Sequence, residues 1–213
     1  MNEHSVKTAL GLRTRILEAA VRVIGRDGIG GVKSAAVAGE AGVSPGLIHY
    51  YFETLSVLTR EAFLYADTVT SREMPELATE PMSGRDELAL RLHAWLEGGD
   101  AYAGAWAVWG EMWYASHHSE EIRRLLEKMW SDWVALIEAA IERGKSDGSI
   151  LGAIEAASAA RRLTALMESL GQQLTIALIS AADARRLMEE ALVIELDPPP
   201  AAPSGLGAGA VSS

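Results

Sequence analysis

The chain has 213 residues, 49% of them hydrophobic, a net charge of −10 and no cysteine. That length and apolar content support one large or two small domains with a substantial core and exclude a wholly disordered chain. The missing thiols exclude disulfides and thiolate metal sites and fit a cytoplasmic setting; no apolar run reaches the roughly 18–20 residues of a membrane span, and residues 1–8 lack the apolar core of a secretory signal.

The charge is uneven. Residues 1–60 hold seven Lys/Arg against five Asp/Glu, and residues 61–213 hold twelve against twenty-four. Such a chain repels DNA as a whole, so any contact with nucleic acid must be local and confined to the less acidic end.

Residues 13–26 read as an amphipathic helix with Ile16, Leu17, Ala20, Val23 and Ile24 in one stripe. Asp27-Gly28-Ile29-Gly30-Gly31 ends it. Residues 34–52 then read as two short helices around a tight turn. Gly42 stands where φ must be positive, Ser44 is placed as an N-cap, and Pro45 suits a first helical position. Val37, Ala38, Ala41, Val43, Ile48 and Tyr51 fall where such a unit closes on itself. This is the grammar of a helix-turn-helix, whose second helix enters the major groove of DNA.

A longer helix follows from about residue 54 to 72, and Pro75 and Pro81 mark a break. Helices are expected over 85–97, 103–116, 120–145 (capped by Ser119), 154–179 and 181–196. No stretch alternates with period 2. The expectation is an all-α chain of about nine helices: a head at 8–53, a helical body for ligand binding and dimerisation at 54–196, and a disordered tail at 197–213 rich in Pro, Gly, Ala and Ser.

The body is unusual in holding six tryptophans against two phenylalanines. Trp106, Trp109 and Trp113 lie on one helical face, Trp130 and Trp133 on the next helix, and Trp95 on the one before. Facing each other they would line an aromatic cavity. Tyr102, Met112, Met129, Met167, Glu168 and Gln172 are the adaptable or polar residues placed to join them. Acidic groups beside aromatic rings suit a cation, with Glu111 and Glu168 as candidates. The competing reading, a tryptophan stripe that is simply core, stays open.

The string Ile16-Leu17-Glu18-Ala19-Ala20, then Gly28, then Val37-Ala38-Gly39-Glu40-Ala41-Gly42-Val43-Ser44-Pro45-Gly46-Leu47-Ile48-His49-Tyr50-Tyr51-Phe52 resembles the DNA-binding domain of the tetracycline-repressor (TetR) family. The Trp106-x-x-Trp109-x-x-x-Trp113 segment is similar to the choline-responsive BetI-like branch. Two positions depart from the family pattern. Lys33 stands where threonine is usual, with Ser34 available to cap the helix. Leu55 stands where a phosphate-binding lysine is common, which removes one expected contact.

The resemblance implies that 44–51 is the recognition helix. Pro45, Gly46 and His49 fall where the family contacts bases, with Leu47 beside them. Tyr50, Ser44, Lys33 and Ser34 are candidates for contacts to the DNA backbone. Ile48 and Phe52, four apart, belong to the core. One head reads only a few base pairs, so a homodimer on a pseudo-palindromic operator is implied. The last two helices are its expected surface: Leu163, Met167, Leu170 and Leu174 as an apolar face, Ala160, Thr164 and Gly171 as a small-residue seam, and Leu187, Met188 and Ala191 completing it. The competing reading packs that face within its own subunit.

The function implied is a ligand-responsive regulator, in first place a repressor released from its operator by a small-molecule effector, with no cofactor and no membrane contact. Catalysis is not expected: there is no cysteine nucleophile, Gly-x-Ser-x-Gly elbow or P-loop. His117-His118-Ser119-Glu120-Glu121 reads as a solvated helix cap rather than a metal site. The alternative function is a helical adaptor whose DNA binding has degenerated.

Overall fold

Helix α1 (Glu3–Asp27) carries the stripe read from the sequence, with Ile16, Leu17, Ala20, Val23 and Ile24 all buried. The structure, a computed structural model, describes residues 3–76, 82–97, 99–152 and 154–197, with the side chains of 3–10, 69–76, 97 and 99–103 outside that description. Helix α1 starts ten residues before the expected position 13. Nothing between 3 and 12 stops a helix, and one interior glycine, Gly11, costs only about 1 kcal/mol.

The chain leaves α1 at Gly28, whose φ of +72° strains any residue with a Cβ. A 3-10 turn over Ile29–Gly31 leads to α2 (Ser34–Ala41). Gly42, at φ +64°, closes α2 in the left-handed conformation. Helix α3 (Pro45–Tyr51) follows with proline in its first turn. Val37, Ala38, Ala41, Ile48 and Phe52 close the three helices on one another, each at most 5% exposed.

Two capping expectations are corrected. Ser44 is the N-cap of α3, but its side chain makes no capping hydrogen bond. Lys33, not Ser34, is the N-cap of α2. The Ser34 hydroxyl instead shares a hydrogen bond with Nε2 of His49, 3.0 Å away on α3.

Helix α4 (Leu55–Glu76) is fastened along α1 as it leaves the head. Arg13 lies 5.1 Å from the Phe52 ring centroid and pairs with Glu61 of α4. Tyr65 of α4 donates to Glu18 of α1 at 3.0 Å. Helix α4 runs past the expected stop at residue 72, so Pro75 falls in its last turn.

The body is built from α5 (Gly84–Glu97), α6 (Gly99–Ser116), α7 (Glu120–Asp147), α8 (Ala156–Thr175) and α9 (Ala181–Leu196). Helix α7 packs against α5, α6 and α8, and α9 covers α5 and α8. Side-chain caps set the starts: Ser119 accepts from the Ile122 N–H, Glu155 from Ala157 and Ser158, and Ser180 from Asp183. The Glu155 cap explains why α8 begins at Ala156 rather than 154. Among the described residues these nine α-helices and the 3-10 turn are the regular structure, with no strand. None of these helices is long and apolar enough to cross a membrane.

The face of α8 and α9 assigned to a second subunit is largely used inside the protomer. Ala160, Leu163, Thr164, Met167, Leu170 and Met188 are at most 4% exposed, Gly171 is buried, and Leu174, Leu187 and Ala191 are half-buried. The small-residue seam serves the protein's own core: a Cβ on Gly171 would fall 2.3 Å from the Trp106 ring. The outward apolar side chains here are Ile176, Leu178, Val193 and Ile194. Asp197, expected in the tail, pairs with Arg85 at 2.6 Å and belongs to the body; the rest of the expected tail, 198–213, lies outside the described residues.

Helices α5 and α7 meet at two glycines. A Cβ on Gly84 would sit 2.2 Å from the Gly144 backbone nitrogen, and backbone cannot swing aside as a side chain can. Gly84→Ala is therefore expected to destabilise the fold by roughly 1–3 kcal/mol, read as a drop of several degrees in Tm by thermal circular dichroism. An unchanged Tm would show that the two helices separate freely.

Candidate functional site

Two regions carry functional groups. On the head, Lys33, Ser44, Pro45, Gly46, His49 and Tyr50 are exposed, and Ser34 and Leu47 are half-buried. Tyr50 is 79% exposed and meets the Tyr51 ring edge-on at 5.2 Å. It is therefore not a core residue, whereas Tyr51 packs against the core. A Cβ on Gly46 would meet nothing within 4 Å, so this stretch of backbone is open to approach. The Ser34 contact holds the His49 ring from one side. Leu55 is half-buried against the core, so this position contributes packing where a lysine would contribute charge. On the far side, Glu40 of α2 joins Arg22 and Arg26 of α1 at 2.8 and 2.9 Å; such exposed pairs orient the helices more than they stabilise them.

Between head and body stands Glu111 of α6, read from the sequence as a candidate cation partner. The structure uses it otherwise. Its carboxylate accepts the Ile29 backbone N–H at 2.7 Å and abuts Gly28, where an added Cβ would lie 3.1 Å from the nearer oxygen. A body side chain thereby supplies an acceptor for the 3-10 turn that separates α1 from α2.

The second region is an aromatic cavity in the body. It is lined by Trp95 of α5, Trp106 and Trp109 of α6, Trp130 and Trp133 of α7, Thr164, Met167 and Glu168 of α8, and Asp67 of α4. Trp95 meets Trp106 at 5.3 Å and Trp133 at 5.0 Å between centroids, both edge-on, the arrangement that ring quadrupoles favour. The Trp106 indole donates to the Trp95 carbonyl at 3.1 Å, and the Gln172 amide donates to the Trp106 carbonyl at 3.0 Å. The cavity volume is about 20 Å³, room for little more than a water molecule.

Its electrostatics are acidic but muted. Burial pushes the Glu168 carboxyl up to about 7. Burial also raises Asp67, helped by Asp132 and opposed by Lys128. Partial desolvation makes the Glu168 carboxylate costly to hold in its charged form. Trp133 Nε1 and Thr164 Oγ1, buried polar atoms on the lining residues, have no hydrogen-bond partner among the described residues.

The structure thus brings together Trp95, Trp106, Trp109, Trp130, Trp133, Met167 and Glu168 from the sequence-derived set. It leaves others out. Trp113 turns outward, 38% exposed, and pairs with the outer side of Trp130 at 5.8 Å over a surface groove. Met112 and Met129 are buried in the core away from the cavity. Gln172 braces Trp106 from behind, and the Tyr102 side chain lies outside the described residues. Asp67 and Thr164 were missed as cavity residues. A signal existed for Asp67, since it follows the buried Phe63 by four and so puts a carboxylate on an apolar stripe. Among the described residues no group of three or more His, Asp or Glu side chains could hold a metal. Near His117 and His118, Glu120 is engaged by Arg123 and Arg124.

Comparison with known proteins gives these regions a context. Residues 16–58 match the family of bacterial regulatory proteins described as the tetR family. Residues 84–197 match the C-terminal domain of the BetI-type transcriptional repressors. The HTH-type transcriptional regulator BetI of Agrobacterium fabrum is 29% identical over 114 residues, 54% of this chain and 55% of that protein, so the match spans about half the length of that relative. A TetR-family transcriptional regulator from Rhodococcus sp. superposes with a TM-score of 0.76 at 27% identity, covering 87% of this chain and 98% of the other. A transcriptional regulator from Saccharomonospora viridis, solved in complex with choline, superposes with a TM-score of 0.74 at 30% identity, covering 86% and 95%. With both matches on a single helical chain, this protein belongs to the tetR family of transcriptional regulators and carries a BetI-type C-terminal domain.

Proposed function

We propose that the chain is a cytoplasmic repressor that leaves its operator when a small quaternary ammonium ion inserts among the body tryptophans. The observation that carries this reading is the cavity itself, five indoles with two partly buried carboxylates, Asp67 and Glu168, on its wall. Ring faces attract a methylated ammonium through their quadrupoles, and the carboxylates add charge. The choline complex of the Saccharomonospora viridis regulator supports the same chemical class.

The cavity is too small to accept a trimethylammonium group without movement. Insertion must part the rings, and the rings sit on the helices that lead to the head. Trp106 and Trp109 share α6 with Glu111, which holds the 3-10 turn. Asp67 shares α4 with Glu61 and Tyr65, which fasten the head along α1. A ligand that favours the parted arrangement shifts the population towards it, and the head orientation shifts with it.

DNA is met by the open face of α2 and α3, with His49 reading a base edge and Tyr50, Lys33 and Ser44 on phosphates. Two heads on half-sites about one helical turn apart require a homodimer. Its contact residues are the outward side chains Val193 and Ile194 of α9 and Ile176 just past the end of α8, rather than the inward face.

Three outcomes test this reading. His49→Ala is expected to weaken binding to the chain's own upstream DNA about tenfold with no loss of helicity, measured by fluorescence anisotropy at low salt; undiminished affinity removes His49 from the contacts. Glu111→Ala is expected to leave choline binding intact while blunting choline-induced release from that DNA, and full release in this variant would place the coupling elsewhere. Burial pushes the Glu168 carboxyl up to about 7, so its neutral form dominates below that pH, and a bound cation favours the ionised form. Binding below that pH therefore releases a proton. Choline affinity should climb by up to about tenfold per pH unit towards pH 7 and level off above it. Glu168→Gln should flatten that profile in calorimetric titrations, and an unchanged slope would assign the proton to another group.

A further inference from the structure

A chain of net charge −10 meets DNA through few cations, and most of those on the head are already engaged. Arg13 pairs with Glu61 of α4 and lies over the Phe52 ring. Arg22 and Arg26 both bond Glu40, at 2.8 and 2.9 Å, and Arg26 also bonds Asp27 at 2.8 Å. Arg60 pairs with Glu121 at 3.3 Å. Leu55 opens α4 with an apolar contact and no charge. A cation held by a carboxylate must leave it before it can neutralise a phosphate. Arg15 is under no such constraint. It is exposed and has no carboxylate partner among the described residues. Its Nη2 donates instead to the carbonyl of Gly42, 3.2 Å away, the residue that turns the chain out of α2 towards α3.

We infer that Arg15 is a DNA-phosphate contact at the turn of the head, and that it and Lys33 carry most of the ionic attraction of each head for an operator. The Gly42 bond places the guanidinium. Gly42 stands two residues before Ser44 and three before the start of α3. The carbonyl end of a helix carries partial negative charge and holds a cation there. A guanidinium has five N–H donors in a planar fork, so one bond to Gly42 leaves the others for a phosphate. Lys33, exposed and likewise without a carboxylate partner among the described residues, is the N-cap of the same helix. The two cations thus flank α2, roughly 13 Å apart along its axis, too far to share one phosphate. With so few ionic contacts, the remaining affinity comes from uncharged groups, and binding responds weakly to salt.

This inference rests on the operator reading above, with two heads on one site, and the two fail differently. The test is binding of the full-length protein to its own upstream DNA, by fluorescence anisotropy over a series of potassium chloride concentrations. Two contacts per head give log K a slope of roughly −4 against log salt. Lys7, whose side chain lies outside the described residues, adds at most one contact per head. Arg15→Gln should flatten the slope by about 2, and Arg15→Lys, which keeps the charge, should restore it. Arg22→Gln, which removes a cation already bound to Glu40, should leave the slope unchanged. A role for Arg15 in capping α2 alone would lower helicity or Tm in the glutamine variant and leave the slope as it was. The slope does not depend on the active fraction of a preparation, so it is readable even if that variant folds poorly. An unchanged slope in Arg15→Gln would remove Arg15 from the contacts. Equal flattening in Arg22→Gln, or a wild-type slope steeper than about −7, would mean that the paired arginines leave Glu40 for DNA, and would overturn the division of charges. No binding by the wild type at the lowest salt would sink the operator reading and this one together.

Discussion

The Trp106 ring occupies the space that any side chain on residue 171 would need. Much of the body depends on that exchange. Because Gly171 has no Cβ, α6 can lay a large indole against α8, and the ring is then held by its own bond to the Trp95 carbonyl and by Gln172 at its backbone. Trp95 in turn meets Trp133 edge-on. Four helices are thus tied through one glycine and three tryptophans. Dispersion between close-packed rings rewards contact and penalises gaps, so a change in any one ring position is passed to the others.

The same packing joins the body to the head. Helix α6 presents rings at Trp106 and Trp109 and a carboxylate at Glu111, which accepts the Ile29 N–H. That N–H belongs to the short turn whose geometry sets α2 relative to α1. Helix α4 makes a second connection, with Asp67 at the cavity and Glu61 and Tyr65 along α1. Each helix therefore touches both the proposed effector site and the head. A bistable joint needs this: two arrangements that differ by contacts at both ends, so that a ligand favouring one arrangement biases the other end.

The departures from the family pattern acquire physical meaning in the fold. Leu55 packs against the core rather than reaching outward, so the head begins α4 with an apolar contact in place of a charge. Lys33 caps α2 through backbone geometry alone, which frees Ser34 to meet His49. The acidic body repels phosphate and the nearly neutral head does so least, and the exposed groups of the head stand on α2 and α3 and the residues flanking them.

How much of this was legible in advance follows from which interactions are local. Period, caps and turns are written in neighbouring residues, so the helices, the positive φ at Gly42, the buried stripe of α1 and the burial of Ile48 and Phe52 could be read from the string. The 34–52 pattern likewise pointed to a DNA-facing helix and its open residues. What a residue faces across the core is not local. Gly171 looked like a seam for a partner helix because small residues invite close approach, and only the tertiary fold shows that the visitor is Trp106 of the same chain. Trp113 shares a helical face with Trp109, yet lies one turn too far along to enter the cavity. Glu111 and Glu168 looked alike as candidate counter-charges; the fold sends one to the head and one to the cavity. Asp67 and Thr164 reach the same cavity wall because α4 and α8 both pack against α6, a juxtaposition between distant segments that no local pattern encodes. The sequence by itself determined the elements, the family and the chemical character of the site. The tertiary structure decided which side chains share it, because that choice is made by the packing of one helix against another.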